Sequence, residues 1–484
     1  MKRVGWDMKC WKLALLCVLL YASTAVAGLQ QDIDAAVRRS GLGSGNVGVS
    51  VVKLDDKPRV VAGHNADSPM LPASNMKLVT TAATLHYLGP DFRFRTLLVE
   101  REVNGRREVG VIGDGDPTIG DSELLAQFGW TTTTTLDQWA RILEPGGDIG
   151  ALLVDDSVFD QEYMHPRWGQ RDQVRPYGAQ VGGLNLNANC VDFYVQPRGN
   201  GQRVGYRLSP PTGYASITNR CVKGSKNAVI LDRILGTNRI TLAGQTNARR
   251  EQGPLRITID NPTAFFGVVL RERIEAAGIA VDGTPMQDRA LREDLINGIG
   301  GWRHIGGLET KLSVVLARVN KSSENLYAEA LVKRIGHHVT GESGSWDNGN
   351  AAIASYLAAL GFQDGEDFVL SDGSGLSRGN RVTPRLLTAC IADAFGRFGT
   401  TFVNSLAVAG KDGTISRRFG RHPDMVGKVF AKSGYISGVY TLSGVVHTDA
   451  GWYAFSILVN NARGGAAPKT LHETIVAAIE SNAR

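Results

Sequence analysis

Cysteine, long apolar runs and net charge are all scarce in this 484-residue chain, and each scarcity removes a class of function. Beyond residue 27 only Cys190, Cys221 and Cys390 remain. Cys390 sits in the apolar stretch LLTACIADAF and reads as a buried, inert thiol rather than a nucleophile. Cys190 and Cys221 share a Gly/Asn/Pro-punctuated region. In an oxidising compartment they are candidates for a disulfide, worth roughly 3–4 kcal/mol on the loop-entropy model. After residue 27 no segment is apolar enough to cross a bilayer, so no transmembrane helix is expected in the mature chain. The formal net charge is +6, but residues 1–27 hold four cations against one anion. The remainder is nearly neutral for its size, which argues against nucleic acid as a partner.

Signatures of metal and phosphate sites are equally thin. No Gly-x-x-x-x-Gly-Lys loop occurs. His472-Glu473 lacks the second histidine of a zinc helix, and His337-His338 has no partner at ligand spacing. Asp114 and Asp116 lie in GDGDPTIGDSE, which lacks the glycine and terminal glutamate of an EF-hand loop and reads as a tight turn. No metal and no cofactor are expected.

What is present starts with a leader pattern. Lys2, Arg3, Lys9 and Lys12 form a basic segment, LALLCVLLYASTAVA a short apolar one, and Ala25-Val26-Ala27 a small-residue cleavage site. Residues 1–27 read as a signal peptide, which places the mature chain, from Gly28, in the periplasm.

Three short motifs then follow in order: Ser74-Asn75-Met76-Lys77, Ser323-Glu324-Asn325 and Lys432-Ser433-Gly434. Ser-x-x-Lys also occurs at Ser50/Lys53, but VGVSVVKLD alternates like a strand, and residues three apart on a strand face opposite ways. ASNMKLVTTAATLHYLG is helical, so Lys77 shares a face with Ser74. A serine at a helix start also sits among free N–H groups that favour negative charge. Taken alone, Ser74 could be only an N-cap. Ser-x-Asn recurs at Ser44 and Ser225 in turns, whereas Ser323 joins two helical patterns and can aim a hydroxyl and an amide into a cleft. Lys-Ser-Gly occurs once, between β patterns. Its glycine allows close backbone approach, and Lys432 can hold a carboxylate as a point charge from a strand edge. Nucleophile, neighbouring amine, second hydroxyl and cation together suit acyl transfer through a serine ester.

Organisation follows from pattern changes. Residues 28–89 read helix, paired strands, helix. Residues 90–289 hold short β patterns such as FRFRTLLVER, VDFYVQP and RITLAGQT between Gly, Pro and Asn turns. Residues 290–484 are mainly helical up to the Lys432 strands and end on an amphipathic helix. The expected class is α/β (α+β): a catalytic domain of antiparallel sheet flanked by helices, split into 28–89 and 290–484, with a β-rich insert of one or two subdomains at 90–289.

The ordered motifs, the long insert and the segments GDGDPTIG (113–120), LLVDDSVFD (152–160), YGAQVGGLNLNANCVDFYVQP (177–197) and SDGSGLSRGN (371–380) resemble one family. It comprises the D-alanyl-D-alanine carboxypeptidases/endopeptidases of the penicillin-binding protein 4 type, the low-molecular-mass class C penicillin-binding proteins. The resemblance covers nearly the whole chain after residue 27. Glu324 replaces a more usual Asp and Ser433 a more usual Thr, which keeps the hydroxyl.

The resemblance implies a serine β-lactamase/DD-peptidase-like fold acting on peptidoglycan stem peptides and cross-bridges, with β-lactams as covalent inhibitors. It implies Ser74 as nucleophile, Lys77 as its base, and Ser323 as proton donor to the leaving amine, with Asn325 holding that network. Lys432 and Ser433 would bind the substrate carboxylate beside Gly434. The N–H groups of Ser74 and Tyr435 would form the oxyanion hole. Asp155 and Arg378 would face the peptide side chain, although Asp155 equally reads as a turn cap beside Asp156 and Ser157. Two other readings compete, a β-lactamase and a non-catalytic cell-wall scaffold. No Glu-x-x-Leu-Asn segment is present for a class A deacylating water, and no motif group is missing as a scaffold would predict.

Overall fold

A computed structural model describes residues 28–483. The signal-peptide expectation concerns residues 1–27 and lies outside the described residues. No described helix is long and apolar enough to cross a membrane.

The two ends of the chain meet in one antiparallel sheet of six strands. Its order is Ala407–Val408, Val429–Ile436, Val439–Thr448, Gly451–Val459, Val47–Leu54, Arg59–His64. Val47–Leu54 pairs residue by residue with Gly451–Val459, from Val47 opposite Val459 to Leu54 opposite Trp452. Alternation along VGVSVVKL explains the layering. Val47, Val49 and Val51 face a core shared with helix 28–40 and with Ala466–Asn482, through Leu29, Ile33, Ile475 and Ile479. Ser50 points to the other face, where its hydroxyl bonds Thr388 Oγ1 at 2.8 Å in helix Pro384–Phe398. Ser50 and Lys53 therefore face opposite ways, as the strand period requires.

The second core lies on that other face. Met76–Leu88 is buried from Met76 to Leu85 and packs among Asn325–Thr340, Trp346–Ala359 and Pro384–Phe398. Such a helix needs apolar residues all round, yet Thr80, Thr81 and Thr84 are fully buried in it. Their hydroxyls are satisfied by carbonyls, Thr81 to Lys77 O (2.8 Å), Thr84 to Thr80 O (2.7 Å) and Thr80 to Gly373 O (2.7 Å). The last bond ties this helix to the loop that will hold Lys77. Alpha-plus-beta architecture with antiparallel sheets is thus what the chain adopts.

Between the two halves of the main sheet, three larger sheets form besides the two-stranded pair Phe368–Val369 and Arg381–Val382. One has five strands in the order Met286–Gln287, Ala151–Asp155, Arg106–Ile112, Arg93–Val103, Arg303–Lys311. The second joins Gln252–Thr258, Cys190–Gln196 and Gly205–Ser209. The third is built on Ala228–Arg233 and Arg239–Thr246. They share a core around Trp139, Phe193, Phe265 and Phe266. Cys190 and Cys221 are both buried and, among the described residues, unpaired, so the disulfide expected between them is not formed. Cys390 is a buried core residue. Asp114 bonds Arg95 N at 2.9 Å and pairs with Arg334, and Asp116 closes a turn on Thr118 N at 2.8 Å.

Candidate active site

Ser74 lies in a single 3₁₀ turn, Ala73–Asn75, that runs straight into helix Met76–Leu88. Ala73 adopts φ 45°, a left-handed conformation that costs a residue with a side chain about 1–3 kcal/mol. Neighbours hold it there. Thr441 Oγ1 donates to Pro72 O at 3.0 Å, and Gly375 presses so close to Ala73 O that no Cβ would fit. Asn75 faces Lys432 O (3.0 Å) and Thr441 Oγ1 (2.9 Å) with its amide nitrogen and accepts from Ser443 N (3.0 Å). The Ser74 turn is thereby clamped to the sheet.

One helical turn on, Lys77 is fully buried. Its Nζ donates to Ser74 Oγ at 3.3 Å, Asn325 Oδ1 at 2.6 Å and Ser374 O at 2.9 Å. An ammonium uses all three contacts as donors. A neutral amine keeps two and turns its lone pair on the Ser74 hydroxyl. Burial pushes Lys77 down to about 8, against the pull of Glu329, Asp372 and Glu324. Both forms are therefore accessible near neutrality, which is what a general base requires.

The Ser374 carbonyl is held by two buried carboxylates. Glu329 accepts from Gly373 N (2.9 Å), Ser374 N (2.8 Å) and Trp346 Nε1 (2.8 Å). Asp372 accepts from Gly375 N (2.8 Å), Ser377 N (2.6 Å), Asn380 Nδ2 (2.7 Å) and Trp168 Nε1 (2.8 Å). Burial, with the Asp372 charge adding, raises Glu329 to about 7. The 371–380 segment is thus a shaped loop wrapped around buried charge.

Asn325 opens helix Asn325–Thr340 and donates from Nδ2 to Tyr177 O at 2.8 Å, so its oxygen is aimed at Lys77. Ser323 precedes it at φ 66°, again left-handed. Glu324 turns away to Arg318 at 3.7 Å. Burial raises its carboxyl.

The third motif occupies strand Val429–Ile436. Its short neighbour Ala407–Val408 pairs only with Ala431 and Phe430, so Ser433–Tyr435 form an open edge. A Cβ on Gly434 would lie 2.8 Å from Ser74 N, so only glycine lets this strand and the Ser74 turn meet this closely. Ser433 Oγ donates to Thr414 Oγ1 at 2.8 Å. Lys432 differs from the expectation of an edge cation. It is fully buried behind the strand, donating to Ser433 O at 2.5 Å. Burial and the Lys77 charge push it well below the usual lysine range.

Ser74, Ser323 and Tyr435 stand between two adjoining cavities. One, of about 720 Å³, is lined by Arg167, Trp168, Asp172, Tyr177, Leu376 and Arg378. The other, of about 600 Å³, is lined by Thr414, Arg418, Ser433, Tyr440, Lys469 and His472. The structure brings Ser74, Lys77, Asn325, Ser323, Ser433, Gly434 and Tyr435 together, with Lys432 behind them and Arg378 at the rim, bonded to Ser437 O.

Asp155 is not among them. It ends strand Ala151–Asp155, is fully buried, and accepts from Ser157 N and Arg292 N, both at 2.6 Å. The turn-cap reading describes it. Asp172 is the acid that lines the cleft; nothing in the polar stretch RWGQRDQ marks it in the sequence. No local sequence signal marks Glu329 or Asp372, although Asp372 lies within SDGSGLSRGN.

Two other spacings are excluded by context. Gly375-Leu376-Ser377-Arg378-Gly379 has the Gly-x-Ser-x-Gly form, but Ser377 is buried, accepts from Ser371 Oγ at 2.8 Å and leads into no helix. Gly43-Ser44-Gly45-Asn46-Val47-Gly48 has dinucleotide-loop spacing, but it follows a helix and enters a strand, the reverse of the required order.

A hydroxyl whose proton can pass to a buried amine, beside a close glycine-bearing strand edge, is equipped for covalent acyl transfer. Comparison with known proteins agrees with that chemistry. Residues 29–482 match the D-Ala-D-Ala carboxypeptidase 3 (S13) family. The D-alanyl-D-alanine carboxypeptidase of Actinomadura sp. (strain R39) is 33% identical, covering 94% of this chain and 87% of that protein. The D-alanyl-D-alanine carboxypeptidase DacB of Haemophilus influenzae is 26% identical, covering 84% and 83%. In fold, the chain is similar to the crystal structure of penicillin binding protein 4 from Haemophilus influenzae. The TM-score is 0.74 at 24% identity, covering 92% of this chain and 98% of that one.

Proposed function

The chain belongs to the D-Ala-D-Ala carboxypeptidase 3 (S13) family and is a serine-type hydrolase; from that membership we propose that Ser74 is the acyl-enzyme nucleophile of a DD-peptidase acting on cell-wall peptides. The single observation that carries this assignment is the threefold set of contacts at Lys77 Nζ. In its neutral form Lys77 accepts the Ser74 proton while Asn325 and Ser374 hold the amine in line. Ser74 Oγ attacks the carbonyl of the penultimate D-alanine, and the oxyanion forms against the N–H groups of Ser74 and Tyr435. The C–N bond then breaks, and the leaving amine takes a proton by way of Ser323. Water later attacks the ester, and Ser74 regains its proton.

Ser433 and Thr414 bind the leaving residue's carboxylate at the open strand edge, with Lys432 behind them. An extended peptide lying on Ser433–Tyr435 would add as a further strand. The cavity lined by Trp168, Asp172 and Arg378 then takes the acyl side of the substrate. We place the enzyme outside the cytoplasm, where such peptides are found, and infer that β-lactams acylate Ser74. The test is incubation with purified muropeptides followed by mass spectrometry. Loss of terminal D-alanine or opening of cross-bridges supports the reading, and unchanged muropeptides overturn it.

Two outcomes follow at named positions. Gly434→Ala pushes a methyl group to 2.8 Å from Ser74 N and disturbs the oxyanion donors. Penicillin acylation slows by about 100-fold, measured by stopped flow, with the fold retained by circular dichroism. Asp172→Asn removes the cleft carboxylate that accepts from Tyr177 OH at 3.0 Å. It lowers kcat/KM about tenfold for acyl peptides with a side-chain amine and leaves N-acetylated analogues within twofold, because only the ammonium loses a charged partner. Equal losses on both substrates would assign Asp172 to loop structure alone.

A further inference from the structure

The cavity on the Ser433 side holds a buried group that the reaction above does not use. His472 is 1% exposed, yet it lines this cavity, and among the described residues neither ring nitrogen completes a hydrogen bond of good geometry, although the Tyr440 backbone faces the ring. A buried imidazole with unsatisfied nitrogens forgoes hydrogen bonding that a ligand can restore. Its surroundings set the sign of that ligand. Lys469, His472 and Glu473 lie three and four apart on helix Ala466–Asn482 and so share one face. Arg418 is fixed to that face, donating to Glu473 Oε1 at 2.6 Å and to Lys469 O at 3.1 Å. Glu473 neutralises Arg418, which leaves Lys469 as the uncompensated charge. Exposed Arg417 and Arg421 continue the cationic surface beside it, around a smaller adjoining pocket that Lys469 and Glu473 also line. Burial and the Arg418 charge hold His472 well below its usual range, so it acts as a neutral donor rather than a cation.

This inference rests on the reading of Ser74 as nucleophile and deepens it. With the leaving residue's own carboxylate at Ser433 and Thr414, whatever extends from that residue enters the Arg418–Lys469–His472 end of the cavity. A lone D-alanine offers only a methyl group there. We propose that Arg418, Lys469 and His472 form a second anion subsite on the leaving side, and that the preferred leaving group is a branch carrying a second carboxylate. The site so read favours cleavage between two peptide strands over release of a single amino acid.

The experiment compares leaving residues that differ only in that second charge. Synthetic peptides with a common acyl part end in D-Ala-D-glutamate or D-Ala-D-α-aminoadipate, each beside its side-chain amide. Values of kcat/KM are taken as the acid-to-amide ratio within each enzyme, so a general loss of activity cancels. The native enzyme favours the acid by about tenfold or more in at least one pair. Lys469→Glu brings the ratio to one or below, and Lys469→Arg retains it. His472→Leu lowers the ratio, and His472→Gln restores part of it. A native ratio of one in both pairs, or a ratio unmoved by Lys469→Glu, overturns the subsite. Penicillin labelling of the native enzyme separates the two readings. Without an adduct on Ser74 the nucleophile assignment falls, whereas an adduct with a ratio of one removes only the subsite.

Discussion

Ser74→Ala gives an enzyme that takes up no penicillin and releases no D-alanine. Intact-mass measurement of the native protein after exposure to benzylpenicillin finds one added penicilloyl group, and peptide mapping puts it on the segment holding Ser74 and Lys77. The variant shows neither. The expected fall in kcat is on the order of 10⁴–10⁶, the range seen when the nucleophile of a serine hydrolase is removed. Folding should survive, since Ser74 is only half-buried and its hydroxyl contacts Lys77 alone among the described residues. The clamp on the nucleophile turn comes from Asn75, Thr441 and Gly375, which the substitution leaves in place. A penicilloyl group on the variant would move the nucleophile elsewhere. Ser323 is then the residue to map, because it opens on the same two cavities.

The sequence made the local part of this site readable and hid the part assembled from a distance. Ser74 and Lys77 are one helical turn apart, and Ser323 and Asn325 straddle a helix start, so period and capping grammar reveal them. Glu329 and Asp372 carry no such grammar. Glu329 is one acid on a buried helix face, and its partners are the Trp346 indole and two backbone N–H groups 44 and 45 residues away. Only the folded chain shows that these carboxylates hold the Ser374 carbonyl against Lys77.

Asp155 takes the turn-cap place of its two sequence readings, and Lys432 lies buried rather than at the strand edge. Asp155 sits where a strand ends, and such an acid closes the turn that follows it, here on Ser157 N. Lys432 alternates inward on a strand whose open edge begins one residue later. The main-sheet strands are legible because both faces are buried, so that Val47–Leu54, Val439–Thr448 and Gly451–Val459 read as short apolar, β-branched runs between turns. The pairing of Arg303–Lys311 with Arg93–Val103 is not, since it joins segments about two hundred residues apart and leaves no local mark.

Lys77→Ala should cost less than loss of the nucleophile but still heavily, and its signature is a pH profile rather than a rate alone. On the proposed mechanism the active form of Lys77 is the neutral amine, which dominates above about 8. Acylation by the native enzyme therefore rises about tenfold between pH 7 and pH 9, whereas an unperturbed lysine would place that rise near 10.4. In Lys77→Ala the rise disappears, and acylation at pH 8 falls by about 10²–10⁴. Stopped-flow acylation across this range is the measurement. A native profile that stays flat, or a variant that keeps the rise, would take the proton from Lys77 and give it to another group.

The double variant with Glu329→Gln sharpens the result. Glu329 draws Lys77 upward through its charge and positions Ser374 O through its hydrogen bonds. Glutamine keeps an acceptor but removes the charge. Alone, Glu329→Gln should shift the rise to lower pH, because burial then acts on Lys77 with one fewer anion in opposition. In the Lys77→Ala background the same change should have no profile left to move. That difference separates an electrostatic role for Glu329 from a purely structural one, since a packing defect would slow both backgrounds alike.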